Sequence, residues 1–189
     1  MPTPDPGSGW PAQASLTGEV DREGPIWKQG AFRRDPWRPS PAGGEPGASP
    51  VLLIKARWVA ERDSLLSRAA PIGLLLEGGE RVDDIADDLA RFALIALNFA
   101  KFSDGRAFST ARLLREKFGY GGELRAVGNV LSDQIPFMRR VGFDAFEVHH
   151  APTRRALSEG LIAEVRLYYQ PVGAVPGPGT RAWLRGSIG

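Results

Sequence analysis

Between residues 51 and 170 the sequence alternates between two hydrophobic periods, and this alternation constrains the fold more than any other feature. Short continuous apolar runs read as buried strands. Stretches with apolar residues three and four apart read as amphipathic helices. Residues 51–55 form such a run, and a helix follows with Trp58, Leu65, Leu66 and Ala69 on one face. Pro71 interrupts, and 72–76 is a second buried run. In 81–91, Val82, Ile85, Ala86 and Leu89 share a helical face opposite Asp83, Asp84, Asp87 and Asp88. Acidic groups in the early turns suit the helix dipole. Residues 93–99 read as a strand, 106–118 as a helix stopped by Gly119, and 123–127 as a strand. Ser132 reads as the N-cap of the next helix, with Pro136 in its first turn and Gly142 at its end. A strand at 145–149, a short helix at 153–161 and a strand at 163–169 complete the unit.

Repeated strand–helix–strand units predict right-handed crossovers and an α/β fold with a mainly parallel sheet. Glu123, Arg125, Glu147 and His149 alternate with Leu124, Ala126, Phe146 and Val148. A sheet covered on both faces has continuous apolar runs, so this alternation makes one face of the late strands polar. Two architectures fit: an open doubly wound sheet with the late strands near an edge, or a partial β/α barrel with a polar concave face. The first is favoured, because the unit is roughly half the length of a full barrel.

Outside this unit the composition changes. Ten of the 16 prolines and eight of the 23 glycines lie in residues 1–50, which read as a largely disordered arm. Within it, Ile26, Trp27, Phe32 and Trp37 could pack on the domain or on another chain. The organisation expected is therefore an arm at 1–50, an α/β domain at 51–170 and a flexible tail at 171–189. The absence of cysteine excludes a disulfide scaffold, a thiol nucleophile, a thiolate zinc site and a cysteine-ligated cluster. A net charge of +2 gives no basic field for nucleic acid. No apolar run is long enough for a membrane span, and the first residues lack a secretory pattern, so a cytoplasmic location is expected.

Active faces of βα folds lie at the carboxyl ends of the strands. Three such ends are legible. In 101–106, Gly105 permits close backbone approach, and Lys101, Ser103, Arg106, Ser109 and Arg112 can supply charge and hydrogen bonds to an anion at a helix start. The same loop also reads as a plain turn in which Asp104 caps the helix and the arginines are solvated. In 128–134, Asn129, Asp133 and Gln134 are the polar candidates, Asp133 being explained equally by capping. In 149–155, the adjacent His149 and His150 point to opposite faces of a strand and do not chelate one metal. His149, near Glu147, is the better placed of the two. Gly119-Tyr120-Gly121-Gly122 follows a helix and precedes a strand, the reverse of a dinucleotide fingerprint. No cofactor is predicted.

The stretch 98–148 resembles a bacterial family, the domain-of-unknown-function family number 934. The resemblance rests on Phe102, Asp104-Gly105-Arg106, Phe108-Ser109, Ala111 to Arg115, Gly122 to Ala126, Gly128, Asp133-Gln134 and Gly142 to Glu147. Trp58, Pro71 to Gly73, Leu89 to Phe92 and Asp35-Pro36-Trp37 also fit its pattern. Ala100 stands where the family usually has proline, Asn129 where it commonly has aspartate, and no cysteine lies near Val141. Members are commonly labelled oxidoreductases of sulfite reduction, a label resting on gene neighbourhood. The resemblance implies a role beside sulfite reductase or another sulfur-assimilation enzyme. With no redox centre legible, it implies an accessory protein that binds a small oxyanion or docks to the reductase. An enzyme of other chemistry using Lys101, Arg106, Gln134 and His149, or a non-catalytic assembly partner, are the alternatives.

Overall fold

The computed structural model describes residues 24–40, 48–101 and 105–162. Eight strands form one sheet in the order β2-β1-β8-β7-β6-β5-β4-β3. They are β1 (Ile26–Lys28), β2 (Ala31–Arg33), β3 (Arg38–Pro39), β4 (Val51–Ile54), β5 (Ile72–Leu76), β6 (Phe92–Phe99), β7 (Glu123–Gly128) and β8 (Ala145–Glu147). Strands β3 to β8 are parallel neighbours in sequence order, and β1 joins β8 antiparallel as the inner strand of a hairpin with β2. A doubly wound sheet reverses its strand order at a switch point. No reversal occurs within β3 to β8, so the partial barrel is the architecture adopted.

The helices are α1 (Lys55–Leu66), a 3-10 helix Asp83–Arg91, α2 (Arg106–Arg112) continuing as a π-helix Leu113–Lys117, α3 (Ile135–Arg140) and α4 (Ala151–Ser158). All contribute to a single core on one face of the sheet. Trp58, Ile85, Ala111, Met138 and Leu157 pack there against Leu53, Leu74, Leu97, Leu124 and Phe146. The opposite face carries a smaller cluster of Leu52, Leu75, Leu94, Ala96 and Val127, with Trp37 packed on it. A bulge at the start of β6 keeps the two faces apart. The register shifts between Ile72 and Gly73, which leaves Ala93 exposed and turns Leu94, Ala96 and Asn98 away from the helices.

The arm expected at 1–50 is not all outside the fold: residues 26–39 supply three of the eight strands. Arg33 ends β2 at one edge, and Arg38 begins β3 at the other. Five residue steps reach at most about 18 Å, whereas seven interstrand spacings of a flat sheet measure about 34 Å. The sheet therefore curls into a half-barrel, and residues 34–37 cross its concave side as a strap. Trp37 lies against Gly73, where a Cβ would stand 3.1 Å from the indole ring. Asp35 pairs with buried Arg125 at 2.9 Å. Arg125 also bonds Glu123 at 2.8 Å, and Lys28 reaches the other Glu123 oxygen at 2.6 Å. The polar face expected of the late strands is thus neutralised internally. Burial pushes the Glu123 carboxyl up, but Arg125 and Lys28 outweigh it and hold it below the usual range.

Several element boundaries differ from the sequence reading for identifiable reasons. The 83–91 segment winds as a 3-10 helix, whose three-residue turn brings Val82, Ile85 and Asp88 inward together. Asp88 there accepts Trp58 Nε1 at 3.0 Å and a two-pronged contact from Arg62 at 2.5 and 2.7 Å. Leu66 and Ala69 are exposed, because α1 ends at Leu66. Ser132 does not cap α3. With Ser132 at the N-cap, the first intrahelical bond would have to come from position 136, and proline has no N–H. The helix starts three residues later, and Met138 N donates to Gln134 O at 2.9 Å. The last helix begins at Ala151 and ends at Ser158. The strand expected at 163–169 and the tail at 171–189 lie outside the described residues.

Candidate functional site

The parallel strands deliver their carboxyl ends to one rim, and side chains tie β5, β6 and β7 together there. Asn98, buried near the end of β6, donates Nδ2 to both Glu77 oxygens beyond β5, at 2.9 and 3.1 Å. Its Oδ1 faces Gly128 at the end of β7. A Cβ at Gly128 would stand 2.4 Å from that oxygen, and the residue has φ 85°, so glycine is required. Glu80 folds back to accept the Glu77 amide at 2.7 Å. Glu77 and Glu80 are therefore both engaged.

Arg106, the first residue of α2, lays its guanidinium over Gly79 in the β5 loop, where a Cβ would stand 2.7 Å from Nη1. Gly105 occupies the N-cap position, and among the described residues nothing lies within 4 Å of where its Cβ would be. Exposed Lys101 lies just beyond the end of β6. Ser109 is exposed one turn along α2. Arg112 instead pairs with Glu116 at 2.7 Å along its own helix. Ser103 and Asp104 lie outside the described residues.

The other two loops contribute less. Asn129 is exposed and its amide donates to Phe99 O at 2.9 Å, fastening β7 to β6. Asp133 is exposed, whereas Gln134 is buried at the N-cap position of α3. His149 Nε2 lies 2.7 Å from Glu147 Oε1, and that hydrogen bond raises the imidazole above its ordinary pKa. β8 is two strands from β6, roughly 10 Å, so His149 belongs to a separate pair. His150 Nδ1 meets buried Thr153 Oγ1 at 2.9 Å at the start of α4.

The sequence profile of a family described as "Bacterial protein of unknown function (DUF934)" matches residues 73–179. The chain belongs to this family. No curated protein matches the sequence. The DUF934 match begins in β5, so it contains all three rim loops, while the hairpin, the strap and β4 precede it. Among the described residues no group of three metal-ligating side chains occurs, and no helix is long and apolar enough to cross a membrane.

A concavity lies at the opposite end of the strands. It measures about 700 Å³ and opens between the β1–β2 turn, the amino ends of β7 and β8, and α3. Its position was not legible, because its walls come from three separated stretches of chain. The available signal was Gln29-Gly30 between two short apolar runs, the spacing of a tight hairpin. Below this pocket the π-helix aims Arg115 at the Tyr120, Gly122 and Gly142 carbonyls and at Asp144, which it meets at 2.6 Å. The helix-to-strand turn at 119–122 is thereby fastened to the start of β8.

Proposed function

We propose that this DUF934 protein serves assimilatory sulfite or sulfate reduction as an accessory protein, holding a small oxyanion at the rim between β5 and β6. The observation that carries the reading is the placement of Arg106 over the side-chain-free Gly79, at the start of α2. A sulfite or sulfate ion there takes hydrogen bonds from the Arg106 fork, charge from Lys101 and backbone N–H groups beside Gly105. Glu77 is held by the Asn98 amide, and Glu80 by the Glu77 N–H. The partner in this reading is sulfite reductase or a neighbouring enzyme of sulfur assimilation, which the family label supports by association alone.

Calorimetric titration with sulfite and with sulfate tests the reading. Losing one charged hydrogen bond costs ~1.5–3 kcal/mol, so Arg106→Ala weakens binding roughly tenfold to a hundredfold. Lys101→Ala weakens it less, because an ammonium on a flexible stem lacks the fixed guanidinium fork. Equal affinities in parent and Arg106→Ala, or no binding by the parent at millimolar anion, refute the oxyanion site.

A further inference from the structure

We infer that Glu77 is a specificity-determining residue of the rim, which reads a hydrogen-bond donor on the bound anion, and that buried Asn98 positions it for this. The ligand is then an anion carrying its own N–H or O–H group. Glu77 acts here on the ion that Arg106 holds, so the assignment rests on the oxyanion reading and adds the substituent the rim selects. Most carboxylates of the described residues lie within 4 Å of a cationic side chain. Half-buried Glu77 and Glu80 are different: among the described residues neither makes an ion pair. Leu76 pairs with Leu97, which sets Glu77 level with Asn98 on β6. Gly79, beneath the Arg106 guanidinium, follows Glu77 by two residues, at most about 7 Å. A carboxylate has no donor of its own, so at this range it repels a bare dianion and accepts from a ligand N–H or O–H. Of the sulfur oxyanions, hydrogen sulfite carries such a proton and fully ionised sulfate does not.

Asn98 supplies the independent observation. Leu94 and Ala96 share its face of β6 and are apolar, and Asn98 is itself only 7% exposed. Its Nδ2 donates to both Glu77 oxygens, while Oδ1, packed on Gly128, accepts no hydrogen bond. A buried acceptor without a partner is destabilising, and a leucine at 98 would continue the apolar row without that cost. The amide cannot turn over to relieve it, because Oδ1 would then face the carboxylate. What asparagine provides and leucine does not is a donor that fixes the Glu77 carboxylate in one orientation. A carboxylate offers about four acceptor positions, so Asn98 leaves Glu77 with capacity for a ligand.

The test is calorimetric titration of the full chain with sulfamate and with methanesulfonate. The two ions have the same charge and nearly the same shape, and differ by an amino group in place of a methyl group. The parent binds sulfamate roughly tenfold to a hundredfold more tightly, the scale of one hydrogen bond to a charged acceptor. Glu77→Gln keeps the shape and removes the charge, so it tightens methanesulfonate and lowers the ratio of the two affinities. Asn98→Leu brings the ratio towards one while the melting temperature holds or rises. If Asn98 only fastens β6 to the β5 loop, Asn98→Leu lowers the melting temperature and leaves the ratio as it was. Arg106→Ala weakens both ions. Equal affinities of the parent for the two ions, or an unchanged ratio in folded Glu77→Gln and Asn98→Leu, overturn the role of Glu77 and leave the oxyanion reading standing. Binding of neither ion by the parent at millimolar concentration overturns both.

Discussion

Asp35→Ala tests whether the strap is part of the fold. The carboxylate bonds Arg125 at 2.9 Å and accepts the Trp37 amide at 3.1 Å. Arg125 is only 2% exposed, so its lost partner is not replaced freely by water, although Glu123 continues to hold the guanidinium. A hydrogen bond between charged groups contributes ~1.5–3 kcal/mol and an ordinary one ~1 kcal/mol. The expected loss is therefore about 2–4 kcal/mol. For a domain of this size each kcal/mol lowers the melting temperature by about 2–4 °C, giving a fall of roughly 5–15 °C. A loosely docked arm makes a different forecast, because an exposed ion pair is worth about 0–1 kcal/mol. Circular dichroism melts and urea titrations of the parent, Asp35→Ala and Asp35→Asn measure the difference. Asp35→Asn keeps an acceptor for the Trp37 amide and separates the two bonds. A fall of under about 2 °C for Asp35→Ala refutes the strap, since that is the surface-pair scale.

Asp88→Ala is expected to cost about 2–3 kcal/mol in urea unfolding, mainly because the Trp58 indole N–H is left buried without its acceptor. Arg62, nearly half exposed, regains water and adds little. The Asp88 carboxyl is held below the usual range by the hydrogen bond from Arg62, then by that from Trp58, so its contribution is complete at neutral pH. That contribution is lost as pH falls through the lowered folded value, and acid titration of the parent against Asp88→Ala should show the gap closing below about pH 4. His149 has the opposite sign. Its raised pKa gives stability present below the unfolded value near 6.5 and lost as pH rises through the folded value. The stability difference between the parent and His149→Gln should therefore be larger at pH 5.5–6 than at pH 8–9, about two to three pH units apart. A constant difference removes the His149–Glu147 pair as a titrating contact.

The parts of this fold that were legible are those written within one stretch of chain. Leu74, Leu97 and Leu124 announce their strands because each sits in a local apolar run, and the repeat of run and helix is enough to predict parallel pairing. What periodicity does not carry is the order of the strands. The doubly wound sheet and the half-barrel contain the same βα units, and only the absence of an order reversal separates them. Short strands are lost for a related reason. Ile26–Lys28 spans three residues, too few to show alternation, and its partner Ala145–Glu147 lies far along the chain. The Asp35–Arg125 pair that fastens the strap joins residues 90 apart, and nothing near either one marks the other.

The candidate rim residues and the amino-end pocket divide along the same line. Gly105 and Arg106 were legible as candidates because a helix start after a strand can be read in a few consecutive residues. The half-barrel then adds Gly79 beneath the guanidinium, a contact created by the parallel pairing of β5 with β6. The amino-end pocket has no such local core. Gln29 comes from the hairpin, Gly121 from the turn after the π-helix, and Arg139 from α3. They meet because β1 enters the sheet antiparallel beside β8, which brings the hairpin turn to the amino ends of the parallel strands. A parallel entry of β1 would have carried Gln29 to the carboxyl rim beside Glu147. The direction of a three-residue strand therefore decides which end of the half-barrel the hairpin turn walls.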